Sequence, residues 1–381
     1  MIYISELDHR RLSNSALKVN DLILSKVGNS IGYFARVDEV VDECNISENN
    51  IGIKLHTMPD IRKHYILTYL NTYYANRLVL RRRSGNAQPK LNVGDLTYIP
   101  IPLFSTDLES KISELIIQAK DAINQSKSIY TASEDVLLNE LQLLNWHIPS
   151  KTCSVKRLSE SFIKSTRLDA EYYQPKYDEL INLVKSHQSG YGRLETLFLI
   201  KDSNYIPEND CLYKYIELSN IGSDGSITGH TEAFGEDLPS RARRIVRSGD
   251  LIVSSLEGSL NSCAIIPEKY DGAICSTGFY VLTPKDINVE TALVLFKSQL
   301  MQALMTRVCS GSIMAGMNTD EFANLIVPKI DQRTQHTIAE IIQDCSQKRD
   351  ESIRLLELAK TAVEIAIEQG EDKAMELLTT K

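Results

Sequence analysis

No two of the seven cysteines stand in a C-x-x-C pair: Cys44, Cys153, Cys211, Cys263, Cys275, Cys309 and Cys345 are scattered. That spacing argues against zinc and against a secreted disulfide framework, and fits a reducing cytoplasm. The histidines form no H-E-x-x-H or other paired metal spacing. There is no apolar run of about 18 residues and no charged-then-apolar leader, so neither a membrane span nor secretion is expected. A G-x-x-x-x-G-K-[ST] phosphate loop is absent. Gly190-Tyr191-Gly192 runs on into Arg-Leu-Glu and completes no dinucleotide fingerprint, and Ser254-Ser255 lacks the flanking glycines of a nucleophile elbow. The Asn-Pro-Pro-aromatic pattern of amino-methyltransferases is also missing. The sequence therefore predicts no catalytic residue, no metal ligand and no cofactor of its own. A basic excess is lacking too: net charge is −8. That argues against an indiscriminate nucleic-acid binder while leaving room for local basic patches.

Glycine and proline are missing from two long stretches, and there the positive content begins. Neither occurs between Pro102 and Pro149, nor in Gln332–Gln369. In the first stretch Leu108, Ile112, Leu115, Ala119 and Ala122 recur at helical spacing. The row continues through Ser126, Ile129, Ser133 and Val136, then shifts to Leu137, Leu141 and Leu144. A helix over 107–144 would be about 57 Å long at 1.5 Å per residue. The second stretch carries Ile338, Ile341, Ile342, Cys345, Leu355, Ala359, Val363 and Ile367. Two such stripes predict helices packed on each other, with Ile112, Leu115, Ala119, Ile338, Ile341, Cys345 and Leu355 as packing positions.

Each long helix follows a segment of the same plan. Asp21, Leu22, Ile23 and Ser25 match Asp250, Leu251, Ile252 and Ser254 at an offset of 229. Further on, Ser84, Gly85, Asn92 and Pro102 match Ser310, Gly311, Asn318 and Pro328 at 226, and Ile112 and Leu115 meet Ile338 and Ile341. This is a duplicated domain-plus-helix unit. The copies read as mixed α and β. Strands are expected at Leu22–Ser25, Ile51–Leu55, Leu251–Ser254 and Phe279–Leu282, with closing strands at Ile99–Pro102 and Leu325–Pro328. Helices are expected at His64–Leu80 and Glu290–Val308, with Thr106 as the cap of the first long helix. A counterpart of Arg167 would fall before Met1, so the first copy reads as lacking the front that 153–247 gives the second.

Binding chemistry is what remains. Arg241, Arg243, Arg244 and Arg247 cluster before the Gly249–Asp250 turn, and Arg81, Arg82 and Arg83 precede Ser84–Gly85. Arginine pairs with phosphate or reads guanine edges; the same clusters also suit a solvated surface or internal ion pairs. The loops Gly222–Gly229 and Gly258–Asn261, the latter with Ser259 and Asn261, suit either close ligand approach or ordinary hairpin turns. Tyr172, Tyr173 and Tyr177 read as core.

RLDAEYYQPKY (167–177), YIELSNIGSDGSI (215–227), SRARRIVRSGDLIVS (240–254) and SGxxxxxxN (84–92 and 310–318) together resemble the specificity subunit of type I restriction-modification systems, over nearly the whole chain. The resemblance implies an α+β chain with two α/β target recognition domains, each reading half of a bipartite double-stranded DNA site. Two long helices pair antiparallel as a coiled coil and space them. It further implies a non-catalytic subunit of a cytoplasmic phage-defence system. DNA methyltransferase subunits dock on the helices and restriction/translocase subunits join them; S-adenosylmethionine, ATP and Mg²⁺ belong to those partners. Arg81–Arg83, Arg241, Arg243, Arg244, Arg247, Ser259 and Asn261 become the candidate DNA contacts.

On this reading 1–104 is a partial recognition domain, 105–148 the central helix, 149–330 a complete recognition domain, 331–370 the second helix and 371–381 a tail too short to be the missing front. A misassigned start, a disrupted gene or a second S-like chain or fragment would each account for the gap. The alternative is a degenerate scaffold that binds methyltransferase subunits without reading a full site.

Overall fold

The computed structural model describes residues 3–28, 31–38, 43–55, 57–85, 89–146, 153–311 and 315–379. The chain divides into two compact units, Met1–Gln125 with Gln347–Lys381, and Ser126–Ser346.

In the first unit β1 (Ala16–Lys18) is joined by β4 (Glu43–Asn45), and β2 (Leu22–Ser25) lies between β3 (Phe34–Arg36) and β5 (Asn50–Ile53). Along β2, Leu22 and Leu24 are buried while Ile23 and Ser25 are only half-buried. That alternation marks a sheet packed on one face. The packed face meets Tyr65, Tyr69, Ala75 and Val79 of helices Asp60–Leu70 and Tyr73–Arg81, with Leu108, Ile112, Ala359 and Val363 of the long helices.

The described residues of the second unit form ten strands: β6 (Tyr191–Arg193), β7 (Phe198–Lys201), β8 (Leu212–Ile216), β9 (Thr231–Phe234), β10 (Ala242–Ile245), β11 (Leu251–Ser254), β12 (Cys263–Ile265), β13 (Ile274–Ser276), β14 (Phe279–Pro284) and β15 (Ile326–Pro328). They form two four-stranded sheets, β12-β11-β14-β7 and β10-β13-β8-β9, and a pair β15-β6. All four residues of β11 are buried, because this sheet is covered twice. Ile252, Ala264, Phe279 and Val281 meet Ile216 and Cys275 of the other sheet. Leu251, Val253, Tyr280 and Leu282 meet the helices Pro175–Ser186, Val289–Lys297 and Gln299–Val308 and the second unit's share of the long helices.

The duplication holds at the level of register. β2 pairs Ile23 with Gly52, and β11 pairs Ile252 with Val281, the same ladder at an offset of 229. Asn20 takes Gly249's place with the same left-handed turn, φ 72° against 83°, a conformation that asparagine tolerates. The bridge Ser84–Lys90 repeats as Ser310–Gly316.

Three sequence expectations need correction. The helices expected over His64–Leu80 and Glu290–Val308 are each two helices, broken at Thr72 and Ser298. There each hydroxyl accepts the N–H of the residue three further on, Ala75 or Met301, and so caps a new helix. Ile99–Pro102 forms no strand. In the second unit β15 is a strand because β6 pairs with it, and the described residues of the first unit supply no counterpart of β6. Its Pro100 and Pro102 carbonyls accept the hydroxyls of Tyr69 and Tyr65 instead, at 2.5 and 2.7 Å. Thr106 lies inside the first long helix, which runs Thr106–Glu140, and Ser105 caps it by accepting the Leu108 N–H.

The second long helix runs Gln332–Gln369. In each unit the segments of the two helices lie antiparallel. Ser352 donates to the Ala119 carbonyl at 2.7 Å in the first unit, and Ser126 to the Cys345 carbonyl at 2.9 Å in the second. Ile112, Ala119, Ile338, Cys345 and Leu355 are buried. Leu115 and Ile341 are half-buried, their neighbours Ile116 and Ile342 taking the inward positions, and Leu144 is exposed.

Candidate DNA-contacting surface

The arginines before the Gly249 turn enter β10, which pairs with β13 through an irregular register. Ala242 faces Ser276 and Arg244 faces Cys275, so Arg243 is an extra residue. Such a bulge breaks the alternation of side chains and re-aims them. Arg243 is held by its Nε, which donates to the Ser240 carbonyl at 3.1 Å. Arg241 is exposed, and its carbonyl accepts the Thr277 N–H. Arg244 is the unusual one. Its Nε and Nη1 are buried and meet no acceptor among the described residues. A buried unsatisfied donor costs about 1–3 kcal/mol, and a guanidinium so placed can take a phosphate or a guanine edge. Arg247 does not join this group: it reaches Asp271 at 3.4 Å.

Arg81, Arg82 and Arg83 are exposed at the end of helix Tyr73–Arg81, with Arg82 over the Tyr98 ring. Ser259 and Asn261 are engaged within the second unit. Ser259 bonds Ser254 at 2.8 Å, and both the carbonyl and the amide oxygen of Asn261 accept from Lys297, whose buried ammonium is pushed below its usual pKa by burial. The Gly222–Gly229 loop is a tight turn closed by the Ile221–Ile227 bridge. At its Gly225, φ +80°, any Cβ would stand 2.9 Å from Leu293.

The tyrosines divide. Tyr177 is core, whereas Tyr172 is half-buried between two guanidinium groups, Arg167 at 4.5 Å and Arg307 at 4.2 Å from its ring centre. Arg167 also grips Asp169 bidentately and donates to the Cys309 carbonyl at 2.9 Å. The stack borders a cleft of about 830 Å³ lined by Lys156, Asn182, Lys185, Arg307 and Asn324 among others. The arginine-to-tyrosine spacing of RLDAEYY was the visible signal; the second arginine, 135 positions from Tyr172, was not.

Among the described residues no cluster of histidine, cysteine or carboxylate is arranged to hold a metal ion, and no helix is long and apolar enough to cross a membrane.

Residues 191–357 match the type I restriction modification DNA specificity domain. Among solved structures, the chain is similar to the HsdS subunit from Thermoanaerobacter tengcongensis, with 24% identity over 46% of each chain and a TM-score of 0.36. It is similar to the S subunit from M. genitalium, with 14% identity over 95% of this chain and 83% of that one and a TM-score of 0.35. A structure of a type I R-M complex assembly aligns at 12% identity, covering 93% and 83%, with a TM-score of 0.32. No curated protein matches the sequence.

Proposed function

We infer the function from the match of residues 191–357 to the DNA specificity domain of type I restriction-modification systems. The second unit reads one half of a bipartite DNA target, and the chain performs no chemistry itself. Arg241 supplies a phosphate contact, and Arg244, whose buried Nε and Nη1 meet no acceptor among the described residues, reads a base edge. Methyltransferase subunits dock on the long helices, restriction/translocase subunits join them, and those partners bring S-adenosylmethionine, ATP and Mg²⁺. The match of 191–357 to that domain is the observation that carries this reading.

The test is a band-shift of the chain with purified methyltransferase partners, with and without duplexes carrying the motif found by methylome sequencing. Binding that is tight for that motif and weak for scrambled duplex is expected. Partner binding with no preference among duplexes would establish the scaffold alternative instead.

A further inference from the structure

We propose that the open sheet edges of the first unit bind a segment of the same plan as 191–216, the front half of a target recognition domain. The occupant takes its name from the specificity reading; the open edges do not depend on it.

The two units share one ladder, so each strand can be asked for its counterpart. In the second unit β14 is paired on both sides, by β11 and by β7. Its counterpart β5 is paired by β2, and no other described strand adjoins it. Ile274 and Cys275 are joined in parallel by Tyr215 and Ile216 of β8. The corresponding Asn45 and Ile46 have no such neighbour among the described residues. Residues 100–102 take the place of β15 with no described strand where β6 would lie, and their Pro100 and Pro102 carbonyls are held by Tyr69 and Tyr65.

Three absences thus fall on strands that one continuous segment, 191–216, supplies in the second unit. The apolar face tells the same story. Ile252 and Ala264 are fully buried beneath the second sheet, whereas their counterparts are half-buried at Ile23 and exposed at Ala35. Unpaired strand edges and an uncovered apolar face are what strand addition uses.

The ladder also states what the occupant must be. On β7, Phe198 packs edge-on to Phe296 with ring centres 5.6 Å apart, Leu199 is exposed, Ile200 is half-buried and Lys201 reaches Asp250. Asp21, only 2% exposed, holds Asp250's position. The incoming strand is therefore aromatic, variable, then aliphatic, and a short parallel strand with an aliphatic end follows it; Asp21 itself accepts the Lys18 and Leu55 N–H groups.

Hydrogen exchange on the intact chain tests this in three forms: alone, with excess fragment 167–234 of this same sequence, and with that fragment fused ahead of Met1, where its local concentration reaches the mM range. Alone, Asn50–Ile53 should exchange faster than Phe279–Pro284, and the free and the fused fragment should each slow it by about tenfold or more. Equal protection of the two strands in the chain alone would overturn the proposal, as would unchanged rates in both fragment experiments. Slowing in the fusion alone would still support these edges as the segment's site. Failure of half-site DNA binding would sink the specificity reading and leave these rates untouched.

Discussion

The ammonium of Lys201 lies 2.8 Å from both carboxylate oxygens of Asp250. Asp250 is only 2% exposed, and it also accepts the Thr283 hydroxyl and the Arg247 N–H. One carboxylate thus ties β7 to β14 and to the turn that follows the arginines. Removing one member of such a pair leaves a buried charge uncompensated, so Lys201→Met should destabilise the second unit by about 3 kcal/mol. The single tryptophan, Trp146, packs against this unit's core. Its fluorescence during urea unfolding gives the measurement, and an unshifted midpoint would show the pair to be dispensable.

The helix pair offers a graded test. Ile338 is fully buried whereas Leu115 is half-buried. Ile338→Asp should cost about 3–5 kcal/mol in the second unit and weaken co-purification of the methyltransferase partner. Leu115→Asp should do less, because its carboxylate can turn toward water. Equal effects, or none, would contradict the packing.

For the arginines, binding and stability should separate. Arg241→Ala should weaken all duplexes alike and lower the salt slope by about one. Arg244→Met should relax one base position by about 1–3 kcal/mol without lowering the unfolding midpoint, since no internal hydrogen bond of its Nε or Nη1 is lost. Wild-type binding in both variants would remove them from the interface.

Burial lowers the pKa of His64, and neighbouring Arg36 lowers it further. Its Nδ1 meets the Ser113 hydroxyl at 2.8 Å. With a folded pKa below the unfolded 6.5, the unfolded chain binds the proton first as pH falls. His64 therefore contributes stability that is present above 6.5 and lost as pH drops toward its folded value. His64→Gln should flatten the dependence. The reading is protection of Tyr65–Leu70 at pH values on either side of 6.5, corrected for intrinsic exchange; an unaltered slope would exclude His64 as the source.

Periodicity and repetition made the long helices and the paired strands Leu22–Ser25 and Leu251–Ser254 legible, because burial writes itself into residue spacing. The breaks at Thr72 and Ser298 were hidden inside apolar patterns that carry straight through a cap. The absent strand at Ile99–Pro102 was hidden for another reason: its sequence suits a strand, but strand formation depends on a partner far away in the chain. Of the arginines, sequence proximity grouped Arg247 with Arg244, and only the structure shows that one meets Asp271 while the buried Nε and Nη1 of the other meet no acceptor among the described residues. Ser259 and Asn261 looked like loop residues because Ser254 and Lys297, which hold them, come from other elements.

Two buried hydroxyls that bridge the long helices have a mechanical consequence. Ser126 and Ser352 are buried, and each finds its acceptor on the opposite helix. Within each unit, sliding the helix segments past each other by half a turn, about 2.7 Å, would carry the hydroxyl off its acceptor in a dry seam. In each unit the serine therefore resists axial shear of the two segments it joins.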